Sequence, residues 1–499
     1  MSLGHDAMHS LRCADTQPMT RTVVMATALM LIGLLSACGT TPQQSVLSKP
    51  GLAACQQLFA DNDAALSAAG IRDAQAQRVT GYSFLRVDRV LASLAPEVTG
   101  DAQRAVWLAR AAAHDAEGRD LEIARLVPTP DTGLREQLHN CRIVLSAALG
   151  EDDNAWRTLV KGTAVADDYH PLRRVLGVYP LSARIVLAGV TRLQAQEMPR
   201  LMDSHAALGG ESYSLRATAS DETNAAPSLR WRRDALGFPL LDTAELDGLL
   251  RRHAPTLRLD TRSDDDRLGR IARNTPPFVT LAEPVLYTHL AYTRFGDQRL
   301  PQLVYTWWYP ARTARGGFDP LAGPLDGMSW RVTLDLDGQP LAYDVVHNCG
   351  CYHMFFPSAR LRPRSPRQTL EEPPWVPFTI PTAWRGRLQL VVASGSHYLT
   401  ALAAADAVPS THRYTLRPYA ELRALVTGGK RSSLFDGRGL VGASRRGERW
   451  WLWPMGIVAP GSMRQWGRQP TAFVGHRHFD EARLLERYFE RVAAAPALD

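Results

Sequence analysis

The heptapeptide His347-Asn348-Cys349-Gly350-Cys351-Tyr352-His353 gathers two thiols and two imidazoles. Both kinds of group bind zinc or copper, and a mixed thiolate and imidazole set suits either ion. Along an extended strand side chains alternate, so His347, Cys349, Cys351 and His353 share one face with Leu341, Tyr343, Val345 and Phe355. Six residues of straight strand cover about 20 Å, whereas zinc ligands stand roughly 2.0–2.3 Å from the ion, so an unbent strand cannot wrap all four around one metal. A bend at Gly350 would bring Cys349, Cys351 and one histidine together and leave a ligand to be recruited from elsewhere. His476 and His478, in Gly475-His476-Arg477-His478, are the first outside candidates, followed by His289 and His397. The spacing matches neither paired Cys-x-x-Cys zinc knuckles nor the Cys-x-x-Cys-His of haem attachment. Because the shared face is otherwise apolar, free buried thiols satisfy the same pattern.

The elements that must position this motif follow from periodicity. Between 52 and 202 the chain is rich in Ala and Leu at helical spacing: Leu134, Leu138, Cys141, Leu145 and Ala148 run up to Gly150, and Phe84, Val87, Leu91 and Leu94 run up to Pro96. Further helices are expected near 101–117, 151–161 and 180–197, which predicts an N-terminal all-α helical bundle. The polar stretch 203–228 reads as a linker or long loop. From 229 to 499 the texture changes. After a helix over Thr243–His253, strand signals recur at 285–287, 303–309, 330–336, 341–346, 388–393 and 450–453. Asp337-Gly338 marks a hairpin turn immediately before the motif. Asp480 would cap a terminal helix striped by Leu484, Leu485, Tyr488 and Val492. The expected class is α+β: the helical bundle, then a mostly antiparallel β-rich domain closed by a C-terminal helix.

Two aromatic clusters stand out, Tyr305 to Tyr309 and Trp450, Trp451 and Trp453. Aromatics in a cleft suit glycan or lipid recognition, and core packing accounts for the same pattern. The chain lacks a Gly-x-Ser-x-Gly elbow and a His-Glu-x-x-His helix, which lowers the odds of the commonest hydrolases.

At the N-terminus an apolar run from Val23 to Ala37 follows Arg21 and ends in Leu35-Ser36-Ala37-Cys38. About fifteen apolar residues are short for a bilayer span and suit the hydrophobic region of a signal peptide. The motif resembles the lipobox of bacterial lipoproteins. That resemblance implies cleavage before Cys38, acylation of its thiol and amine, and a mature chain anchored by lipid with 38–51 as tether. Gly39 after the cysteine is similar to the signal for outer-membrane delivery, with the body facing the periplasm.

An oxidising compartment changes the reading of the thiols. Cys349 and Cys351 become candidates for a disulfide, with each other or with a distant partner, and Cys55 with Cys141 becomes the favoured staple between helices. Metal, cystine and free thiols all remain open. The formal charge of +7 is carried almost wholly by arginine, the lysines being Lys49, Lys161 and Lys430, so it reflects codon bias more than an anionic partner. Nucleic acid is not an expected partner in this compartment; an envelope glycan, lipid or protein is. Function is therefore expected to be binding or envelope assembly, with a metal-dependent periplasmic enzyme using the Cys/His cluster as the alternative.

Overall fold

The computed structural model describes residues 51–492 except 129, 131, 203–209, 218–230, 273–275, 366–369, 383, 385–386 and 406–409. Cys38, the signal segment and all but Gly51 of the tether lie outside the described residues. The elements in chain order are α1 (Ala53–Ala68), β1 (Gln77–Val79), β2 (Tyr82–Val87), α2 (Arg89–Leu94), α3 (Asp101–Ile123), α4 (Thr132–Gly150), α5 (Asp153–Gly162), α6 (Pro171–Leu176) and α7 (Tyr179–Met202). These are followed by β3 (Glu211–Leu215), α8 (Thr243–Arg252), β4 (Thr256–Leu259), β5 (Arg270–Ala272), β6 (Phe278–Thr280), β7 (Val285–Phe295), β8 (Gln298–Arg312), β9 (Gly323–Leu334), β10 (Pro340–His347) and β11 (Met354–Pro357). The chain ends with β12 (Leu361–Pro363), β13 (Leu388–Val392), β14 (Leu399–Ala404), β15 (His412–Pro418), β16 (Leu425–Thr427), β17 (Lys430–Ser432), α9 (Arg449–Leu452), α10 (Leu484–Tyr488) and β18 (Phe489–Arg491).

Ten strands form one large mixed sheet in the order β11-β10-β9-β8-β7-β15-β3-β4-β13-β14. Pairing is antiparallel along the meander β7 to β11 and parallel at β7/β15, β15/β3 and β4/β13. Asp335 and Gln339 close the turn between β9 and β10, with Gly338 left-handed at its tip. On β8 the two-residue period sends Leu303, Tyr305, Trp307 and Tyr309 into one core cluster and Val304 and Trp308 into another. The sheet is thus covered on both faces there, which assigns this aromatic cluster to the core.

Several expectations need correction. The stripe over Phe84–Leu94 is not one helix: Phe84 and Val87 lie on β2, and Asp88 caps α2 by accepting from the Leu91 amide. A two-stranded hairpin therefore interrupts the region expected to be all helical. The polar stretch read as linker contains β3, a central strand of the sheet. Trp450–Trp453 form a helical turn, because Glu448 accepts from the Trp451 and Leu452 amides. The terminal helix spans only five residues before β18 pairs with β12, and Asp480 binds Arg89 instead of capping it.

Helices and sheet are tied by buried polar pairs. The Asp73 carboxylate receives Arg423 Nη2 at 2.6 Å and Gln465 Nε2 at 2.8 Å. Cys55 and Cys141 are disulfide-bonded, joining α1 to α4.

Candidate thiol site

The extended conformation stops at His347. The chain turns back at once: Gly350 N–H donates to His347 O and His347 N–H donates to Cys351 O. Gly350 has φ +98°, and a Cβ there would meet the Pro470 carbonyl oxygen at 2.1 Å, so the bend demands glycine. The turn sets the two cysteines side by side. Cys351 N–H donates to Cys349 Sγ at 3.4 Å, and both thiols are free. The neighbouring Cys349 side chain, with burial, drives the Cys351 thiol well above its ordinary pKa.

The four residues of the motif do not share a metal. His353 Nε2 meets Asp344 Oδ2 at 2.8 Å, where Asp344 also pairs with Arg331 across β9 and β10, making His353 part of a buried ionic core. Burial is the main reason its pKa falls to about 4. His347 Nε2 stands 2.9 Å from the His397 carbonyl oxygen, which only accepts, so Nε2 carries the proton. Burial, reinforced by Arg312 and His397 and opposed by Asp326, lowers the His347 pKa to about 4, leaving a neutral ring.

Beside His347 lies an ionic group that the motif did not disclose. His397, in the turn between β13 and β14, points Nδ1 at Asp326 Oδ2 (2.8 Å) and Nε2 toward Asp266 Oδ1 (3.5 Å), and stacks on Tyr309 at 3.9 Å. Burial alone would discharge this imidazole, but the adjoining carboxylates of Asp266 and Asp326 outweigh it and raise its pKa. Burial opposes ionisation of Asp326, yet His397 holds its carboxyl far below the usual range; Asp266 falls to about 2 in the same way. The result is a carboxylate–imidazolium–carboxylate bridge buried behind the thiol turn.

A cavity of about 30 Å³, room for about two water molecules, is lined by Arg312, Asp326, His347, Cys349, Cys351 and Glu448, among others. A second space of about 20 Å³ is also bordered by Cys349 and Cys351. Burial lifts the Glu448 pKa to about 7, against the pull of Arg312 and Arg446. Its carboxylate lies over Gly461, where a Cβ would meet Oε1 at 2.1 Å. A neutral imidazole, a carboxyl poised near neutrality and two free thiols therefore share one small space.

Backbone strain gathers here too. Among the described residues, non-glycine positive φ occurs at Val178, Leu325, Tyr352, His397 and Ala459. Leu325 adjoins Asp326, Tyr352 adjoins Cys351, and His397 bridges the two carboxylates. Such conformations cost about 1–3 kcal/mol each and persist where surrounding structure imposes them.

His289 lies elsewhere, sandwiched between Tyr419 and Trp466, with burial lowering its pKa to about 3. His476 and His478 meet Asp167 instead of the cysteines. His476 Nε2 is 3.1 Å and His478 Nε2 3.7 Å from Asp167 Oδ1, and the three donors all fall within 4.8 Å of one another. Among the described residues this is the one group of three or more such side chains close enough to share an ion. The sequence reading missed Asp326, on the strand preceding the motif's hairpin turn, and Asp266, Glu448 and Asp167, which lie far along the chain; Glu448, an acidic residue set among Arg445, Arg446 and Arg449, was the nearest to a signal. No protein-family model, curated protein or solved structure matches the chain.

Proposed function

We propose that the mature chain is an outer-membrane lipoprotein, anchored through Cys38 with its body in the periplasm, that serves envelope assembly as a thiol–disulfide exchange protein. The observation that supports this most is the Cys349–Cys351 pair: two free thiols on one tight turn, lining a cavity with groups able to take up their protons. Exchange begins when Cys351 passes its proton to Glu448 or His347, directly or through cavity water. The thiolate attacks a disulfide sulfur of the partner, and a partner thiolate leaves. Cys349 then loses its proton and attacks Cys351 Sγ, displacing the second partner thiolate. Two electrons and two protons pass to the partner, and Cys349–Cys351 ends as a disulfide. Arg446 and Arg464 sit close enough to interact with Cys349 and would stabilise a transient thiolate.

The test uses the mature chain with Cys38→Ser, equilibrated in glutathione buffers. Alkylation mass mapping should show Cys349 and Cys351 oxidising together as one two-electron couple while Cys55–Cys141 stays closed. Cys349→Ser should accumulate a mixed disulfide on Cys351. If both thiols survive oxidised glutathione unchanged and the variant traps nothing, the reading fails.

A metal-dependent enzyme remains the second reading, and it moves from the cysteine motif to Asp167, His476 and His478. Two histidines with one carboxylate suit zinc or another divalent first-row ion and leave positions open for water or substrate. Burial drives His478 well below its ordinary pKa, so its ring is neutral, as a ligand must be. Zinc or copper that persists in Cys349→Ser/Cys351→Ser and is lost in His476→Ala/Asp167→Asn would favour this reading; no bound metal in the parent chain would remove it.

A further inference from the structure

Helix α6 is built inside out. Its arginines turn toward the protein: Arg173 Nη1 donates to Ile457 O, and Arg174 Nε donates to Met455 O. Its aliphatic side chains Leu172, Val175 and Leu176 face solvent, Val175 being 73% exposed, and the helix buries none of its residues. An ordinary surface helix does the reverse.

Helix α7 continues the pattern. Ala183 is buried, while Leu181 and Ile185 stand out, the latter 77% exposed. Both helices pack against the helical turn at Trp453–Met455. The α9 tryptophans precede that turn, Trp450 at 69% and Trp451 at 65% exposure. Phe318 adds to the face from the connection between β8 and β9, whose Pro320 carbonyl accepts from the Glu448 amide. About half of the large apolar residues exposed among the described residues thus lie on three stretches of chain that meet around the Trp453–Met455 turn and the Pro320–Glu448 hydrogen bond. Scattered exposed apolar groups need no explanation, but a contiguous patch does.

The charge pattern identifies what covers it. Arg184 and Arg192 on α7 and Arg445 just ahead of the tryptophans are exposed, and the first acidic residue after Pro171 is Glu197; Arg173, Arg174 and Arg446 are instead bound to backbone carbonyls of the protein. Aliphatic residues, indole rings that favour the boundary between hydrocarbon and water, and surrounding guanidinium groups are the composition of a surface lying in an anionic lipid interface. No helix among the described residues is long and apolar enough to cross a membrane, so the fitting geometry lies in the plane of the leaflet.

We propose that the α6–α7–α9 face seats the body of the protein in the lipid leaflet. The choice of a leaflet as occupant rests on the envelope reading, but the contact itself does not need the acyl chains. Cys38 and Gly51 are separated by a stretch that extends to about 45 Å, enough slack for the body to lie down beside its own anchor. Seating also fixes where the thiol site faces. Glu448, which lines the thiol cavity, immediately precedes α9, so seating the tryptophans would bring the cavity close to the leaflet. The partner whose disulfide is exchanged is then one held at the same membrane, a lipid-attached or membrane-embedded protein.

The unacylated mature chain with Cys38→Ser is mixed with vesicles of phosphatidylethanolamine and phosphatidylglycerol, or of phosphatidylcholine alone. We expect sedimentation with the anionic vesicles, quenching of tryptophan emission by brominated lipid, and weaker binding to phosphatidylcholine. Trp450→Ser/Trp451→Ser and Val175→Ser/Ile185→Ser alter only exposed side chains and should each weaken partitioning by at least about tenfold, with unchanged circular dichroism. The proposal is overturned if the parent chain stays in the supernatant, or if the variants bind as well as the parent. It is equally overturned if the variants instead abolish a self-association of the parent, which would make a second copy the occupant. Mass spectrometry of the native chain tests acylation of Cys38 separately, so loss of the anchor reading and loss of the seating contact are distinguishable.

Discussion

Glu448 is the residue whose protonation decides most. Its pKa rises from about 4.5 unfolded to about 7 in the folded chain, chiefly through burial. For a carboxyl shifted upward the native state holds a proton that the unfolded state has released, so stability falls as pH climbs from about 4.5 through 7. Glu448→Gln should flatten that part of the stability curve, measured by urea unfolding between pH 5 and 8. In thiol–disulfide exchange the same substitution should slow the attack of Cys351 and remove the rate increase centred near pH 7, as read by stopped-flow kinetics against a small disulfide. An unchanged pH profile would assign proton transfer to His347 or solvent. The motif made the cysteines legible in the sequence, but not their proton acceptors. Thiol and carboxyl lie about a hundred positions apart and meet only because β9, β10 and the 446–461 segment converge.

At the scale of elements, α3 shows where pattern reading succeeds and where it stops. The sequence predicts a helix near 101–117, and the structure carries it on to Ile123. Its buried face, however, is partly ionic: Asp115, Arg119 and Glu122 fall at helical intervals and point inward. Asp115 alone accepts from Arg86, Arg119 and Arg142, drawn from β2, α3 itself and α4. Apolar periodicity carries no information about such a stripe, because charged residues at those spacings also describe a solvated face. Asp115→Ala would leave three buried guanidinium groups short of a counter-ion, and we expect a loss of at least about 3–5 kcal/mol in chemical denaturation. A loss under about 1 kcal/mol would mean that Glu122 and Asp63 suffice to hold the arginines. Misplacement of the Phe84–Leu94 stripe has a related cause: short buried strands and buried helical turns share composition, and Asp88, the cap that separates them, is a single residue.

For the molecule as a whole, the sequence marked a change of texture near residue 229, and the structure bridges it. Asp73, ahead of β1, is held at a pKa of about 2 despite burial because Arg423 pairs with it, and Gln465 adds a hydrogen bond. Arg89 to Asp480 and Arg294 to Glu97 make further ties across the same divide. Long-range pairs of this kind leave no local trace, which is why composition implied two bodies. Asp73→Ala should cost about 3–5 kcal/mol by removing the buried partner of Arg423 and leaving it only the half-exposed Glu117. If helices and sheet unfold as one cooperative unit, tryptophan fluorescence and far-ultraviolet circular dichroism will shift their midpoints together. Separated midpoints in the parent chain would instead show that the ties are too weak to couple the two halves.

Among the described residues the disulfide joins Cys55 and Cys141, which precede Cys349 and Cys351 in the chain, and this bears on the proposed export. If the chain is exported from its N-terminus as proposed, Cys55 and Cys141 would reach an oxidising compartment while Cys349 and Cys351 are still to follow. The staple between α1 and α4 can close before any competing thiol arrives, so the order of emergence protects the later pair from being consumed in structural bonding. A circular permutant that brought the Cys-Gly-Cys turn out first would lose that protection and accumulate scrambled isomers.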